Sequence, residues 1–309
     1  MPKVWEPDPI FFSLPFFDWP VRYYGLFFAL AFLGGYYLFH WQIRRGGGSE
    51  EEVTSFLIPG FLGVLIGARL GHVLFYNLDY FLQNPSWIFR IWQGGLSSHG
   101  ATIGLILAMV WQSYRSKRPF LDLGDRLTFS ISLGAALIRL GNLFNSEIVG
   151  KVTSEPSWWH IILPRYDGLP VRFAPARYPT QVFESFLGFL ILGTLIFFDR
   201  MKGQERRPRG LLSAIFLMMY FAGRFLIEFF KERMGPNDQL FFSRGQLLSI
   251  LPFLLGVFFL VHCFKRKNVP IDLHTPLATP LGSPRAKKIP SQTKKLAKSS
   301  KKSAKRRKK

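Results

Sequence analysis

Seven stretches of the chain run apolar for about the length of a membrane crossing: 21–43, 53–76, 97–114, 126–144, 180–198, 211–230 and 245–264. Each is near the roughly 20 residues that span a hydrocarbon core of about 30 Å. A soluble domain breaks its apolar runs with polar faces at shorter intervals, so that class is excluded. The pattern predicts an all-α integral membrane protein, a bundle of about seven transmembrane helices. Ahead of the first span, residues 1–20 include "DPIFFSLPFFDWP". That stretch is aromatic, interrupted by prolines and too short to cross, and it is expected to lie in the outer interface, where Trp and Phe are favoured. The first residues lack a basic start and an unbroken apolar core, so a cleavable signal peptide is not expected.

The polar segments between the spans set an orientation. Arg44 and Arg45 follow the first span, Arg115, Lys117 and Arg118 the third, and Arg200, Lys202, Arg206, Arg207 and Arg209 the fifth, whereas the second loop has only Arg90. The positive-inside rule then places the odd loops and the C-terminus in the cytoplasm and the N-terminus outside. The expected divisions are an interfacial segment 1–20, a transmembrane catalytic domain 21–264 with an outward loop 145–179, and a cytoplasmic tail 265–309. The outward loop breaks the charge trend, carrying Lys151, Arg165, Arg172 and Arg177. Long loops without regular structure are often functional.

Composition changes this picture at the tail. From Lys265 onward 16 Lys or Arg stand against one acid, Asp272, so this segment carries +15 of the formal +21. It is rich in Lys, Ser and Pro and is expected to be disordered, touching anionic membrane lipids at about 1 kcal/mol per basic residue near the surface. Contact with nucleic acid through such a tail is nonspecific, so no specific nucleic-acid partner is expected. The single cysteine, Cys263, excludes an internal disulfide or a cysteine metal cluster. No spaced set of His and carboxylates points to a metal.

Candidate chemistry lies where charge enters the spans. In "IRLGNLFNSEIVG", Arg139, Asn142, Asn145 and Ser146 fall on an arc of roughly 120° at 100° per residue. An Arg at mid-bilayer costs about 2.5 kcal/mol or more on insertion scales, so it points into a bundle or a wet cavity. Its planar fork suits a phosphate or a carboxylate. In "AGRFLIEFFKER", Arg224 and Glu228 are four apart, a spacing that permits an internal pair. In "GVLIGARLGHVLFYN", Gly63, Gly67 and Gly71 recur every four residues and permit close helix packing. Arg69, on the same span, has two readings: a substrate ligand, or a residue bonding neighbouring carbonyls or a carboxylate. In "GGLSSHGATIG", His99 starts the third span among glycines. An imidazole with an unperturbed pKa of about 6.5 serves as acid, base or hydrogen-bonding group. Arginines and a His converging in the outer half of a bilayer suggest a phosphorylated amphiphile, handled by an enzyme or by a lipid or anionic-amphiphile transporter. No internal repeat favours the transporter, and intramembrane arginines disfavour a purely structural scaffold.

These segments together resemble the bacterial prolipoprotein diacylglyceryl transferases. "IRLGNLFNSEIVG" is similar to that family's Gly-Arg-x-Gly-Asn-Phe-x-Asn-x-Glu-x-x-Gly signature, matching at Arg139, Gly141, Asn142, Asn145, Glu147 and Gly150 and departing at Ile138 and Leu143. "VRYYGL" places Tyr24 at the matching tyrosine, and "GARLGHVLFYN" follows the second-span pattern with His72 where Tyr is usual. "GGLSSHGATIG" resembles the His-Gly-Gly motif with Ala101 at the second Gly. "ARYPTQVFES" resembles Arg-His-Pro-Ser-Gln-Leu-Tyr-Glu, with Tyr178, Thr180 and Phe183 as departures, and "GRFLIEFF" and "RGQLLS" complete a run over about residues 8–264.

The resemblance implies a reaction at the bacterial plasma (inner) membrane, the first step of lipoprotein maturation. A diacylglyceryl group passes from phosphatidylglycerol to the lipobox cysteine thiol of a preprolipoprotein, releasing glycerol phosphate, with no cofactor or metal. It implies catalytic roles for His99, Arg224 and Arg139. Phosphatidylglycerol is implied to meet Arg139, Asn142, Asn145, Tyr24 and Arg69, with Glu147, Gly150, Glu228, Gln181 and Gln246 in support.

Overall fold

The computed structural model describes residues 1–14, 19–90, 94–232 and 241–265. Seven long helices occupy the seven expected spans: α1 (Tyr23–Arg45), α2 (Glu50–Tyr76), α4 (Ser98–Ser116), α5 (Phe120–Phe144), α7 (Thr180–Met201), α8 (Leu211–Ile227) and α9 (Arg244–Lys265). Two short helices, α3 (Leu78–Gln83) and α6 (Pro164–Asp167), lie between them. Among the described residues six helices are long and apolar enough to cross a membrane: α1, α2, α5, α7, α8 with its following turn, and α9. The remaining expected span, α4, has 19 residues, about 28 Å of helix at 1.5 Å per residue. It falls short in apolarity because Ser98, His99, Gln112, Ser113 and Arg115 occupy its ends. The tail beyond Lys265 lies outside the described residues.

Local chemistry explains where the helices begin. Ser49 Oγ accepts the Glu52 N–H at the start of α2, and three glutamates follow in the first turn, where the helix dipole favours them. At α9, Ser243 and Gln246 cap each other: the Ser243 N–H donates to Gln246 Oε1 (2.9 Å) and the Gln246 N–H to Ser243 Oγ (3.2 Å). Helix α8 begins at Gly210, whose φ of +89° is a left-handed conformation that glycine adopts without penalty.

Helix α5 is the centre of the bundle, packing on α1, α7 and α8, while α2 pairs with α4 and α8 with α9. The α2–α4 contact is the close glycine packing expected from the sequence. A Cβ added at Gly63 would sit 2.7 Å from the Gly104 carbonyl oxygen, and one at Gly67 would strike the Gly100 oxygen. One core cluster, with Ile43, Val53, Leu123 and Leu127, joins α1, α2 and α5, and another, with Phe129, Ile191, Leu195 and Leu212, joins α5, α7 and α8.

The polypeptide outside the helices is more ordered than the sequence suggests. Strands β2 (Ile10–Leu14) and β3 (Trp19–Arg22) form an antiparallel hairpin in the N-terminal segment. Strand β4 (Ile161–Ile162) pairs in parallel with β1 (Lys3–Val4) and antiparallel with β5 (Ala176–Arg177). Strands of two to five residues are too short for a period-2 pattern to stand out. Leu143, Val149, Ile161 and Leu163 form a small core beneath them, and Trp5 Nε1 donates to the Leu143 carbonyl at 3.0 Å. This loop end therefore sits fixed over the C-terminus of α5.

The opposite, basic end is closed by buried ion pairs. Arg126 is fully buried and meets Asp122 (2.9 Å) and Glu205 (2.5 Å). Arg118 meets Glu52 (2.5 Å) and Asp122 (2.8 Å), Arg45 meets Asp199 (2.6 Å), and Arg207 meets Asp199 (2.7 Å). Asp125 caps α8 from α5, accepting the Gly210 N–H, the Ser213 N–H and the Ser213 hydroxyl, each at 2.8 Å. Arg45, Arg118 and Arg207, counted in the sequence as loop charges, are thus internal ties. Arg44, Arg115, Lys117, Arg200, Lys202, Arg206 and Arg209 remain exposed.

Candidate functional site

Polar side chains gather where the C-terminus of α5 meets the start of α7 and the end of α8. Arg139 projects from α5 and is half-buried, donating from Nη1 to Asn142 Oδ1 at 2.9 Å. Its Nε lies 2.8 Å from Glu184 Oε2 on α7. Asn142 and Asn145 both turn their amides to Glu147, at 3.2 Å to Oε2 and Oε1 respectively. Gln181 donates from Nε2 to the Glu147 carbonyl oxygen at 2.8 Å. Ser146 and Ile148, on either side of Glu147, have φ of +56° and +57°. A left-handed conformation in a β-branched residue is strained, and such strain persists only where the surroundings hold it. Here the bonds to Glu147 do the holding.

Gly150 closes the signature for a steric reason. A Cβ there would lie 2.8 Å from Tyr178 Cβ and strike the Tyr178 carbonyl oxygen. The close approach lets 150–153 run between residues 176–178 and 230–232: Lys151 N donates to Phe230 O (2.8 Å), Tyr178 N to Lys151 O (3.1 Å) and Glu232 N to Val149 O (3.1 Å). Arg177 locks this patch from below, with Nη2 2.5 Å from Asp167 and Nη1 2.8 Å from Glu232. Tyr24 packs its ring against α5 at Gly141, where an added Cβ would be 3.0 Å from Cδ2, and it lies within electrostatic reach of Glu147 and Arg139.

Arg224 projects from α8 into the same region, within electrostatic reach of Tyr220, Glu184 and Glu228. The internal Arg224–Glu228 pair permitted by the sequence does not form. Helix α8 ends at Ile227 and Glu228 opens a 3₁₀ turn, Glu228–Phe230, yet the Glu228 N–H still bonds the Arg224 carbonyl, so the helical spacing is kept and the two side chains act on each other only through charge. Among the described residues, the ion contact of Glu228 is with Lys231, at 4.0 Å. Gln246 ties α9 to α8, donating from Nε2 to the Phe225 carbonyl at 3.4 Å.

Two expected residues stand apart from this cluster. Arg69 is 4% exposed and directs its donors to backbone carbonyls: Nε to Ile88 (2.9 Å), Nη1 to Gly94 (2.7 Å) and Gly95 (3.1 Å), Nη2 to Trp87 (2.6 Å) and Arg90 (3.5 Å). Its guanidinium also stacks over the Trp87 ring. Five N–H groups meet five acceptors, which is the carbonyl-bonding reading and leaves no donor for a ligand. His99 is exposed in the first turn of α4, and among the described residues no hydrogen bond or ion pair joins it to the Arg139 cluster. Ala101 sits in regular helix, so its replacing a glycine carries no backbone strain.

The sequence reading passed over two members of the cluster. Glu184 holds Arg139 on one carboxylate oxygen and the Lys231 amine, at 3.0 Å, on the other. Gln181 and Glu184, three apart in α7, share a helix face, a signal that was present in the sequence. Lys231 is 8% exposed. Burial pushes its amine below the ordinary lysine value, and the charges of Arg139 and Arg224 add to that against the opposing pull of Glu184 and Glu228. The arrangement presents guanidinium N–H groups and an amine beside anchored carboxylates at the bundle's loop end, donors of the kind that suit an anionic oxygen group.

The sequence profile of the prolipoprotein diacylglyceryl transferase family matches residues 9–262. The chain is 40% identical to a phosphatidylglycerol–prolipoprotein diacylglyceryl transferase of Chloroherpeton thalassium over 269 residues, 86% of this chain and 96% of the relative. Similar relatives with the same description come from Vibrio cholerae, 37% identical over 268 residues (84% of this chain, 92% of the relative), and Haemophilus influenzae, 36% identical over 269 residues (85% and 96%).

Proposed function

Because the chain belongs to the prolipoprotein diacylglyceryl transferase family, we propose that it moves the diacylglyceryl group of phosphatidylglycerol to the lipobox cysteine thiol of preprolipoproteins, in the bacterial inner membrane. Curated relatives described as transferases support this over the transporter. The observation that carries the site assignment is the contrast between Arg69 and Arg139. The first has an acceptor for every donor, whereas among the described residues Arg139 has one aligned bond, to Asn142, and a charge contact with Glu184. The remaining donors of Arg139 are available to the lipid phosphate, with Asn142, Asn145 and Glu147 fixing the fork.

In the reaction the substrate thiol loses its proton and its sulfur attacks the diacylglyceryl carbon. The bond from that carbon to the phosphate oxygen breaks, and glycerol phosphate departs with the electron pair. A free thiol has a pKa of about 8.5, so the site gains rate by favouring the thiolate. Arg139 and Arg224 stabilise the charge that builds on the departing phosphate, while Tyr24 flanks the headgroup. His99 is the candidate thiol base, exposed in the first turn of α4 and, among the described residues, not bonded to the arginine cluster. Arg69 serves the site by holding the carbonyls of Trp87, Ile88, Arg90, Gly94 and Gly95, ahead of His99 in the chain. Gly150, Gln181 and Gln246 act through the backbone they pin, and Glu228 through its charge beside Lys231. The basic end faces the cytoplasm and the site opens outward.

One experiment tests function and orientation together. Right-side-out membrane vesicles containing the protein and phosphatidylglycerol are given a lipobox peptide from outside. Glycerol phosphate is expected to appear, and the peptide to gain the diacylglyceryl mass, only when the peptide is present. Release without peptide, or only when peptide is loaded inside, contradicts the reading.

A further inference from the structure

Glu184 and Lys231 have a relationship that the transferase reading does not use. Lys231 follows the 3₁₀ turn that ends α8, and a backbone bridge to Gly150 fixes its position. Its amine is turned inward, 3.0 Å from Glu184 Oε1 and 4.0 Å from Glu228 Oε2. The charged groups acting on it are Arg139 from α5, Glu184 from α7, Arg224 from α8 and Glu228 from the turn. A buried ammonium is costly unless its partners are good. The groups acting on it are two cations and two carboxylates, so the amine adds one positive charge to that set.

Resting on the phosphatidylglycerol reading above, we infer that Lys231 is a third cation of the headgroup site and, as an amine beside two guanidiniums, the one member able to lose its charge. Glu184 is shared. With the amine charged, Lys231 holds one carboxylate oxygen and Arg139 keeps its fork open to the phosphate. When the amine loses its proton, Glu184 has only Arg139 as a close cation and competes with the lipid for it. Lys231 is therefore a positioning residue for Arg139 as well as a source of attraction for an anionic headgroup. An arginine at the same place would keep its charge throughout. Burial holds the Lys231 amine below the ordinary lysine value, in agreement with the geometry.

The test compares the parent with Lys231→Arg and Lys231→Met on two readouts: KM and kcat for phosphatidylglycerol, and binding of a fluorescent phosphatidylglycerol without peptide, both from pH 6.5 to 10. For the parent, KM and the binding constant are expected to rise with pH. Ionisation of the substrate thiol affects kcat in parent and variant alike, so it cancels in the comparison. Lys231→Arg is expected to bind like the parent at pH 7 and to lose the alkaline rise. Lys231→Met is expected to bind roughly tenfold more weakly at pH 7, the size of a lost charge-assisted contact, with little further change. An alkaline rise in Lys231→Arg equal to the parent's overturns the inference, as does parent-like binding by Lys231→Met. Should Lys231→Met fail to fold, Lys231→Arg still decides. If the parent shows no peptide-dependent release of glycerol phosphate, the transferase reading fails, and the Lys231 inference is judged on binding alone.

Discussion

Arg126 at the basic end of the bundle and Arg139 at the loop end both project from α5, yet they are used in opposite ways. Arg126 has no exposure, and its guanidinium donates to Asp122, Glu205 and the Gln42 carbonyl. Arg139 is half-buried with one aligned bond among the described residues. A saturated guanidinium is a tie, worth keeping because breaking it leaves buried charges without partners. An unsaturated one is a binding group, tolerated because a ligand completes it. Burial and satisfaction of donors, more than the presence of charge in a span, therefore separate structure from function here. Arg69 shows that the distinction follows the donors and not the end of the molecule, since it lies on the site's side of the bundle and is saturated.

The largest effect is expected from Arg126→Met. It removes the guanidinium that joins Asp122 to Glu205, leaving the first with Arg118 and the second with Arg45, and removing one partner from a buried ionic network costs about 3–5 kcal/mol. Thermal unfolding in detergent is expected to show a marked drop in midpoint, while the molecules that remain folded turn over like the parent. A variant that unfolds like the parent but has lost its activity would erase the contrast between the two ends.

Arg139→Gln is expected to do the converse. A charge-assisted hydrogen bond contributes about 1.5–3 kcal/mol, so turnover should fall at least about tenfold with the unfolding midpoint close to the parent's. Arg139→Lys keeps the charge without the planar fork and should fall between the two. Loss of folding in Arg139→Gln would make this residue a tie like Arg126, and parent-like lipid binding would remove it from the headgroup site.

The contrast also explains what was legible in the sequence. The long helices were readable because apolar length is a local property, and the expected spans differ from the observed helices mainly at their ends. The face carrying Arg139, Asn142 and Asn145 was readable because helical periodicity places side chains of one helix relative to each other. Periodicity says nothing about what a neighbouring helix presents. Glu184, 45 residues beyond Arg139, and Lys231, beyond the end of α8, entered the site only through packing. The ion network at the basic end was misread for the same reason: Arg45, Arg118 and Arg207 look like solvated loop charges until Glu52, Asp199 and Glu205 are brought to them. Arg224 and Glu228 keep their helical spacing yet form no ion pair, because spacing does not say which way each side chain turns.

The smallest effect separates the ends by pH. Burial alone would raise the Glu205 carboxyl, but the bond and charge of Arg126, the bond from Arg45 and the charge of Arg207 outweigh it and hold the carboxyl below the ordinary glutamate range. A carboxylate depressed in the folded state contributes stability that is fully present above its unfolded value, about 4.3, and is lost as pH falls through the folded value. The unfolding midpoint of the parent is therefore expected to decline below about pH 4. Glu205→Gln should begin lower at neutral pH and decline less steeply in acid, because its side chain has no proton to take up. At the loop end the sign is reversed and the observable differs: the Lys231 amine loses charge as pH rises, weakening lipid binding without unfolding the bundle. Acid should thus act on the basic end through stability and alkali on the loop end through affinity. Unfolding curves and lipid-binding constants measured over the same pH range check both. An acid limb in Glu205→Gln as steep as the parent's would move the acid sensitivity away from this network, and the pH contrast between the two ends would fail with it.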